Sequence, residues 1–248
     1  MAETHLSPEP ISLPVRMSPV ASVSRRDGVV NEIRRAVVLG TIKPGEKLTE
    51  VQLSEWLNVS RPTVREALNQ MAQEGLLVQE PYRGLRVATL DTTAIMDLAN
   101  TRMALDMLAV AAIIEDETGR RMRMVEESWT EYSRVEMDPD PVVRHESHVA
   151  FHRKLWAASE NALLLRLWPV TEAHVTIILA QDQATRADPV RAHRVHEKLV
   201  KAIRTKDLEV IRKAFTEHTI DSAKELIALL DKPQPDAPRV DVPKSGKK

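Results

Sequence analysis

Seven of the chain's 8 histidines lie between His145 and His218, and imidazole is the side chain that most often ligates transition metals near neutral pH. His148 and His152 stand four residues apart, so one helix can aim both rings at one point. For that pair alone an ordinary solvated helix surface is the commoner explanation. His196 and His218, one on each of two later helical stretches, raise the number of nitrogen donors to four and favour a divalent metal site. Nitrogen donors prefer zinc or nickel over magnesium, manganese or calcium, which prefer oxygen. The surroundings do not read as catalytic: the sequence contains no HExxH, no GxSxG elbow and no P-loop, and His196-Glu197 is only a fragment of such a motif. Ligand capture or a structural metal therefore ranks well above a metal-dependent helical enzyme with an accessory DNA-binding domain.

A second chemistry is carried by arginines. From Thr49 to Arg65 the sequence TEVQLSEWLNVSRPTVR reads as two short helices joined by a tight turn. Thr49 can cap the first, with Gln52 at capping-box spacing and Leu53 and Leu57 on its buried side. Ser60 caps the second, and Pro62 falls in its first turn, where a missing N–H costs nothing. Val64, Ala67, Leu68 and Met71 then repeat at helical spacing, which leaves Arg61, Thr63 and Arg65 together on the opposite side. Such a face suits a DNA major groove, since a guanidinium can pair bidentately with guanine or clamp phosphate. Beyond Glu74-Gly75, residues 76–79 and 85–88 flank Pro81-Tyr82-Arg83-Gly84. This predicts a hairpin wing with Arg83 and Gly84 at its basic tip, where the missing side chain of glycine permits close approach of a backbone.

The elements that must position these groups are mostly helical. The 248 residues include 7 glycines and 3% aromatic residues, and a helix-forming composition predicts a mainly α protein with room for two domains. Residues 1–22, with four prolines and no sustained period, are expected to form a disordered arm, and the proline- and lysine-rich residues 232–248 a disordered tail. Between them, residues 23–90 are assigned to a winged helix-turn-helix and 91–231 to an all-helical domain of about six helices. The absence of cysteine excludes disulfides and thiolate metal sites. No uninterrupted apolar run approaches the roughly 18 residues of a membrane span, so the expectation is a cytoplasmic protein with no membrane partner. A formal net charge of -1 gives no global attraction to nucleic acid, so DNA binding must come from local placement of charge.

In this order the motifs resemble the GntR family of bacterial transcription regulators, in its FadR-type branch with an FCD domain. The resemblance rests on GTIKPGEKL at 40–48, VSRPTVREAL at 59–68, QEGLLVQEPYRGLRV at 73–87, HVAFHRKLWAASENALL at 148–164 and HEKLVKAIRTKDLEVIRKAFTEHTI at 196–220. It implies a homodimer reading a pseudo-palindromic operator, since one recognition helix covers only a few base pairs. It also implies a small carboxylate effector in the helical domain. The family's metal pattern falls on His148, His152, His196 and His218, with His148 standing where the family has aspartate. An arginine facing the family's pocket corresponds to Arg102, for which a salt bridge with Asp106 is an equally simple role. His174 is expected in the same cavity and His193 on the surface. A constitutive DNA binder with a purely structural metal is the remaining alternative.

Overall fold

The computed structural model describes residues 24–185 and 188–231; the proposed arm and tail lie outside the described residues. Ten α-helices and one hairpin follow in order. Helix α1 (Arg25–Val38) is capped by Ser24, whose side chain accepts from the Asp27 amide, and buries Val29, Val30, Ile33 and Val37. Helix α2 (Glu50–Leu57) begins at Thr49 and ends where Asn58 turns left-handed at φ 50°. The Thr49 hydroxyl both accepts from the Gln52 amide and bonds the Gln52 side chain at 2.8 Å, so the cap is a local variant of the expected box. Helix α3 (Arg61–Glu74) starts at Ser60 and stops at Gly75, whose φ of 86° suits glycine. Its four expected core residues are all buried.

The hairpin pairs β1 (Leu77–Glu80) with β2 (Gly84–Val87), Glu80 opposite Gly84. Its tip is thus one residue tighter than the sequence pattern indicated. At the tip Tyr82 adopts φ 62°.

Seven helices complete the chain: α4 (Thr92–Ile114), α5 (Arg120–Val135), α6 (Pro141–Ala158), α7 (Ala162–Thr185), α8 (Pro189–Thr205), α9 (Leu208–Thr216) and α10 (Ser222–Leu230). A π-turn over Glu217–Asp221 joins the last two, and the extra residue it inserts re-aims the side chains that follow.

Helix α7 serves both halves of the molecule. Its Ala173 and Ile177 complete the core built from α1, α3 and the hairpin, while Leu164 and Trp168 pack with Trp156 of α6 and Ala109 of α4. Residues Ala162–Asp182 reach a mean hydropathy of 1.4, long and apolar enough by composition to cross a membrane. An uninterrupted-run criterion overlooks this span because Arg166, Pro169 and Glu172 divide it. Of its apolar residues, Leu164, Trp168, Ala173, Val175 and Ile177 are buried, whereas Leu163, Leu165, Leu167 and Val170 remain exposed, and 39% of the span is buried.

Candidate functional site

The DNA-facing candidates sit together at the start of α3. Arg61 and Arg65 have side chains 60% and 57% exposed, and both turn toward Glu50 at the head of α2. Arg65 holds that carboxylate bidentately, Nε to Oε1 at 2.8 Å and a terminal nitrogen to Oε2 at 2.9 Å. Arg61 lies farther off, at 3.8 Å. The Arg65 hydrogen bond holds the Glu50 carboxyl below its usual value. Ser60 and Thr63 bond each other through their hydroxyls at 2.8 Å. On the wing, Arg83 is 71% exposed and rests 3.3 Å from Glu80, beside a fully exposed Tyr82. Gly84 has φ 84°, and a Cβ there would meet the Lys47 side chain at 3.1 Å. Turn geometry therefore favours glycine at this position independently of the DNA approach expected there. Tyr82 was overlooked because a lone tyrosine in a turn carries no periodic signal.

The four histidines converge in the interior of the bundle, supplied by three elements. His148 and His152 project from α6, His196 from α8 and His218 from the π-turn. The Nε2 atom of His152 lies 3.1 Å from Nε2 of His196 and 3.1 Å from Nε2 of His218. Donor atoms of His148, His152 and His196 all fall within 4.8 Å of one another. His148 and His218 are the most separated rings, with centroids 6.3 Å apart. Burial drives all four pKa values down, that of His196 to about 4, so the rings are neutral at neutral pH.

Proton placement says what is missing from this cluster. His196 Nδ1 lies 2.7 Å from the Ala192 carbonyl, which can only accept, so the proton belongs on Nδ1 and Nε2 presents a lone pair. Tyr132 adds its hydroxyl 3.2 Å from the same Nδ1. His152 Nδ1 and His148 Nε2 are buried with no hydrogen-bond partner. In either tautomer of His152 its buried Nδ1 is left without a hydrogen-bond partner, and its one Nε2 faces both His196 and His218. A cation satisfies such a set. Two nitrogens each about 2.1 Å from a metal are roughly 3.0–3.4 Å apart at angles of 90–110°, and the observed 3.1 Å separations fall in that span.

Arg102 of α4 lines the cavity beside the cluster, together with Val175, Ile178 and Leu179 of α7. It lies 3.4 Å from Asp106, which is fully buried and accepts from Trp156 Nε1 at 2.6 Å. Both roles weighed for Arg102 are thus present: it pairs with Asp106 and it faces the cavity. The pairing is incomplete, since Nε and one terminal nitrogen of Arg102 are buried without a hydrogen bond. Burial lowers the Arg102 pKa and raises that of Asp106, while each partly offsets the other.

His174 is not part of this cavity. Its ring packs on Gly75, where a Cβ would come within 2.8 Å of Cε1, and its Nδ1 lies 2.8 Å from the Val170 carbonyl. The helical period explains the difference: neighbours Ala173 and Ile177 face the N-terminal core, whereas Val175 and Ile178 face the cavity. His193 is 39% exposed and pairs with buried Glu136. Tyr132 and Glu136, four residues apart on α5, escaped the sequence reading, although that spacing was the available signal.

Residues 25–87 match the family of bacterial regulatory proteins called gntR, and residues 97–221 match the FCD domain. The "Probable D-xylose utilization operon transcriptional repressor" of Paenarthrobacter nicotinovorans is 29% identical over 194 residues, 78% of this chain and 83% of its own length. The "Uncharacterized HTH-type transcriptional regulator YdhC" of Bacillus subtilis is 24% identical over 206 residues, 81% and 90% of the two chains. Among solved structures, E. coli McbR/YncC superposes with a TM-score of 0.68 at 20% identity, covering 85% of this chain and all of that one. With a helix-turn-helix and hairpin followed by a seven-helix bundle, and with both halves matched in order, the chain belongs to the GntR family of bacterial regulatory proteins, carries an FCD domain, and is a transcription regulator rather than an enzyme.

Proposed function

We propose that this regulator acts in the cytoplasm as a homodimer on a pseudo-palindromic operator, under the control of a small carboxylate held beside a divalent metal. Residues 23–90 form the DNA-binding unit in this reading and residues 91–231 the sensing unit. Ser60, Arg61, Thr63 and Arg65 enter the major groove, where Arg65 exchanges Glu50 for a base edge or phosphate. Arg83 on the wing contacts phosphate or the minor groove. His148, His152, His196 and His218 hold zinc or nickel. Bound there, the ion supplies positive charge and coordination positions for a carboxylate oxygen. The wide separation of His148 and His218 suits an ion with positions left open better than a closed tetrahedron of four imidazoles. Arg102 anchors the same carboxylate through its unpartnered guanidinium nitrogens, and Asp106 keeps that guanidinium in place. His174 is left out of the effector site.

The observation that carries this reading is the joint presence, on the wall of one cavity, of a buried His148 nitrogen and buried Arg102 guanidinium nitrogens that have no hydrogen-bond partner. A metal-bound carboxylate answers both. Control of DNA binding then requires two arrangements of the dimer that the ligand binds unequally. The test is metal analysis of protein purified without a metal-affinity tag and then reconstituted, followed by operator titrations with small carboxylates before and after chelation. Stoichiometric metal and an acid-dependent change in operator affinity that chelation removes are expected. Metal without any acid response would leave a structural ion in a constitutive DNA binder.

A further inference from the structure

Resting on the carboxylate reading above, the geometry points to a particular class of effector: we infer that the cavity takes a short monocarboxylate with an apolar body and rejects polyhydroxylated sugar acids. The carboxylate end is served by Arg102, His148, His196 and His218 of the cavity wall, and most of the remaining lining is apolar. Leu98 of α4, Val175, Ile178 and Leu179 of α7, Val195 of α8 and Leu226 of α10 line it. The cavity has a volume of about 130 Å³ and is partly open to solvent.

Each remaining polar group on the wall already has a partner inside the protein. The Thr219 hydroxyl donates to the Phe215 carbonyl at 2.7 Å. Ser222 donates to the Glu217 carbonyl and receives from Arg191, both at 3.1 Å. Arg191 is also held by Glu225, and Asp182 is engaged as well. A sugar acid entering this space would strip water from a row of hydroxyls and could regain hydrogen bonds only in competition with these internal contacts, a loss of about tenfold in affinity for each one left unpaired. A methylene in the same place is transferred from water to hydrocarbon, a gain of about fourfold. Chain length is therefore read by α7 and hydroxylation is penalised.

The experiment uses the full-length, metal-reconstituted protein and isothermal titration calorimetry with acetate, butyrate, valerate, 4-methylvalerate and gluconate. Expected is a rise in affinity of about fourfold per methylene from acetate to valerate, with gluconate at least 100-fold weaker than valerate. Ile178→Asn, which adds a donor and an acceptor to the wall, should narrow the gap between valerate and gluconate by about tenfold or more. Circular dichroism of the variant establishes that it is folded, and Ile178→Thr serves if it is not. Gluconate binding as tightly as valerate, or affinity flat with chain length, overturns the inference and leaves the carboxylate reading standing. Failure of all five acids to bind overturns both.

Discussion

On the DNA-facing surface Arg61, Arg65 and Arg83 are each more than half exposed and each lies beside a carboxylate, Glu50 or Glu80. In the bundle Arg102 and the histidines His152, His196 and His218 are buried, with several of their polar atoms lacking a hydrogen bond. Water screens the first set and makes its ion pairs exchangeable, so DNA can replace Glu50 at small cost. The second set has no such solvent, and any group missing there costs its full desolvation energy. Grip on an operator suits exchangeable pairs, and detection of a ligand suits unsatisfied ones.

The largest contrast is expected from removing one acidic partner on each side. Asp106→Ala strands a buried guanidinium and should lower unfolding stability by about 3–5 kcal/mol. Glu50→Ala should change it by only about 0.5 kcal/mol or less. Urea unfolding of both variants checks this, and equal effects would break the comparison. Metal comes next. Reconstituted protein with ion at about 100 times its dissociation constant should be stabilised by about 2.7 kcal/mol relative to the chelated form. His152→Ala and His218→Ala should abolish that difference and lose stoichiometric metal, read by thermal unfolding and elemental analysis.

Acid sharpens the same contrast. Burial pushes the His145 imidazole down to about 4, below its ordinary value of about 6.5. Between those pH values the unfolded chain takes up a proton that the folded chain refuses. The stability contributed by a neutral His145 is therefore complete above pH 6.5 and is lost as pH falls to about 4. Unfolding of the chelated protein across this window should show a decline that His145→Asn flattens. The smallest effects belong to the exposed side. Arg65→Ala should weaken operator binding by about 1–3 kcal/mol with folding intact, whereas Arg83→Ala should lower affinity for all sequences and reduce the salt slope by about 1. Operator and random-sequence titrations at several salt concentrations separate the two.

The DNA-binding elements were legible because their signals are local. Thr49, Ser60 and Gly75 mark helix ends within a few residues of the groups they serve, and apolar spacing alone placed Val64, Ala67, Leu68 and Met71 inside. In the bundle His148 and His152 were found by type and period, whereas the family resemblance singled out His196 and His218 from the other histidines. Tertiary neighbours were less accessible. His174 has the right type but projects from the wrong side of α7. No spacing rule revealed that Glu217–Asp221 widens into a π-turn that carries His218 toward His152. Glu50 illustrates the same limit: its pairing with Arg65 spans two helices, and each helix alone makes it look like a first-turn acid favouring its own dipole.

The double allegiance of α7 bears on how the molecule is made. Ala173 and Ile177 belong to the core that α1, α3 and the hairpin enclose, yet they are translated about ninety residues after the hairpin's last residue, Val87. At about 5–20 residues per second, the N-terminal half waits several seconds on the ribosome with one wall of its core open. Until α7 arrives, the surface it will cover is available to chaperones or to wrong contacts with other nascent chains. The DNA-reading end, although first in sequence, can therefore reach its finished packing only after the helix lining the ligand cavity has been synthesised.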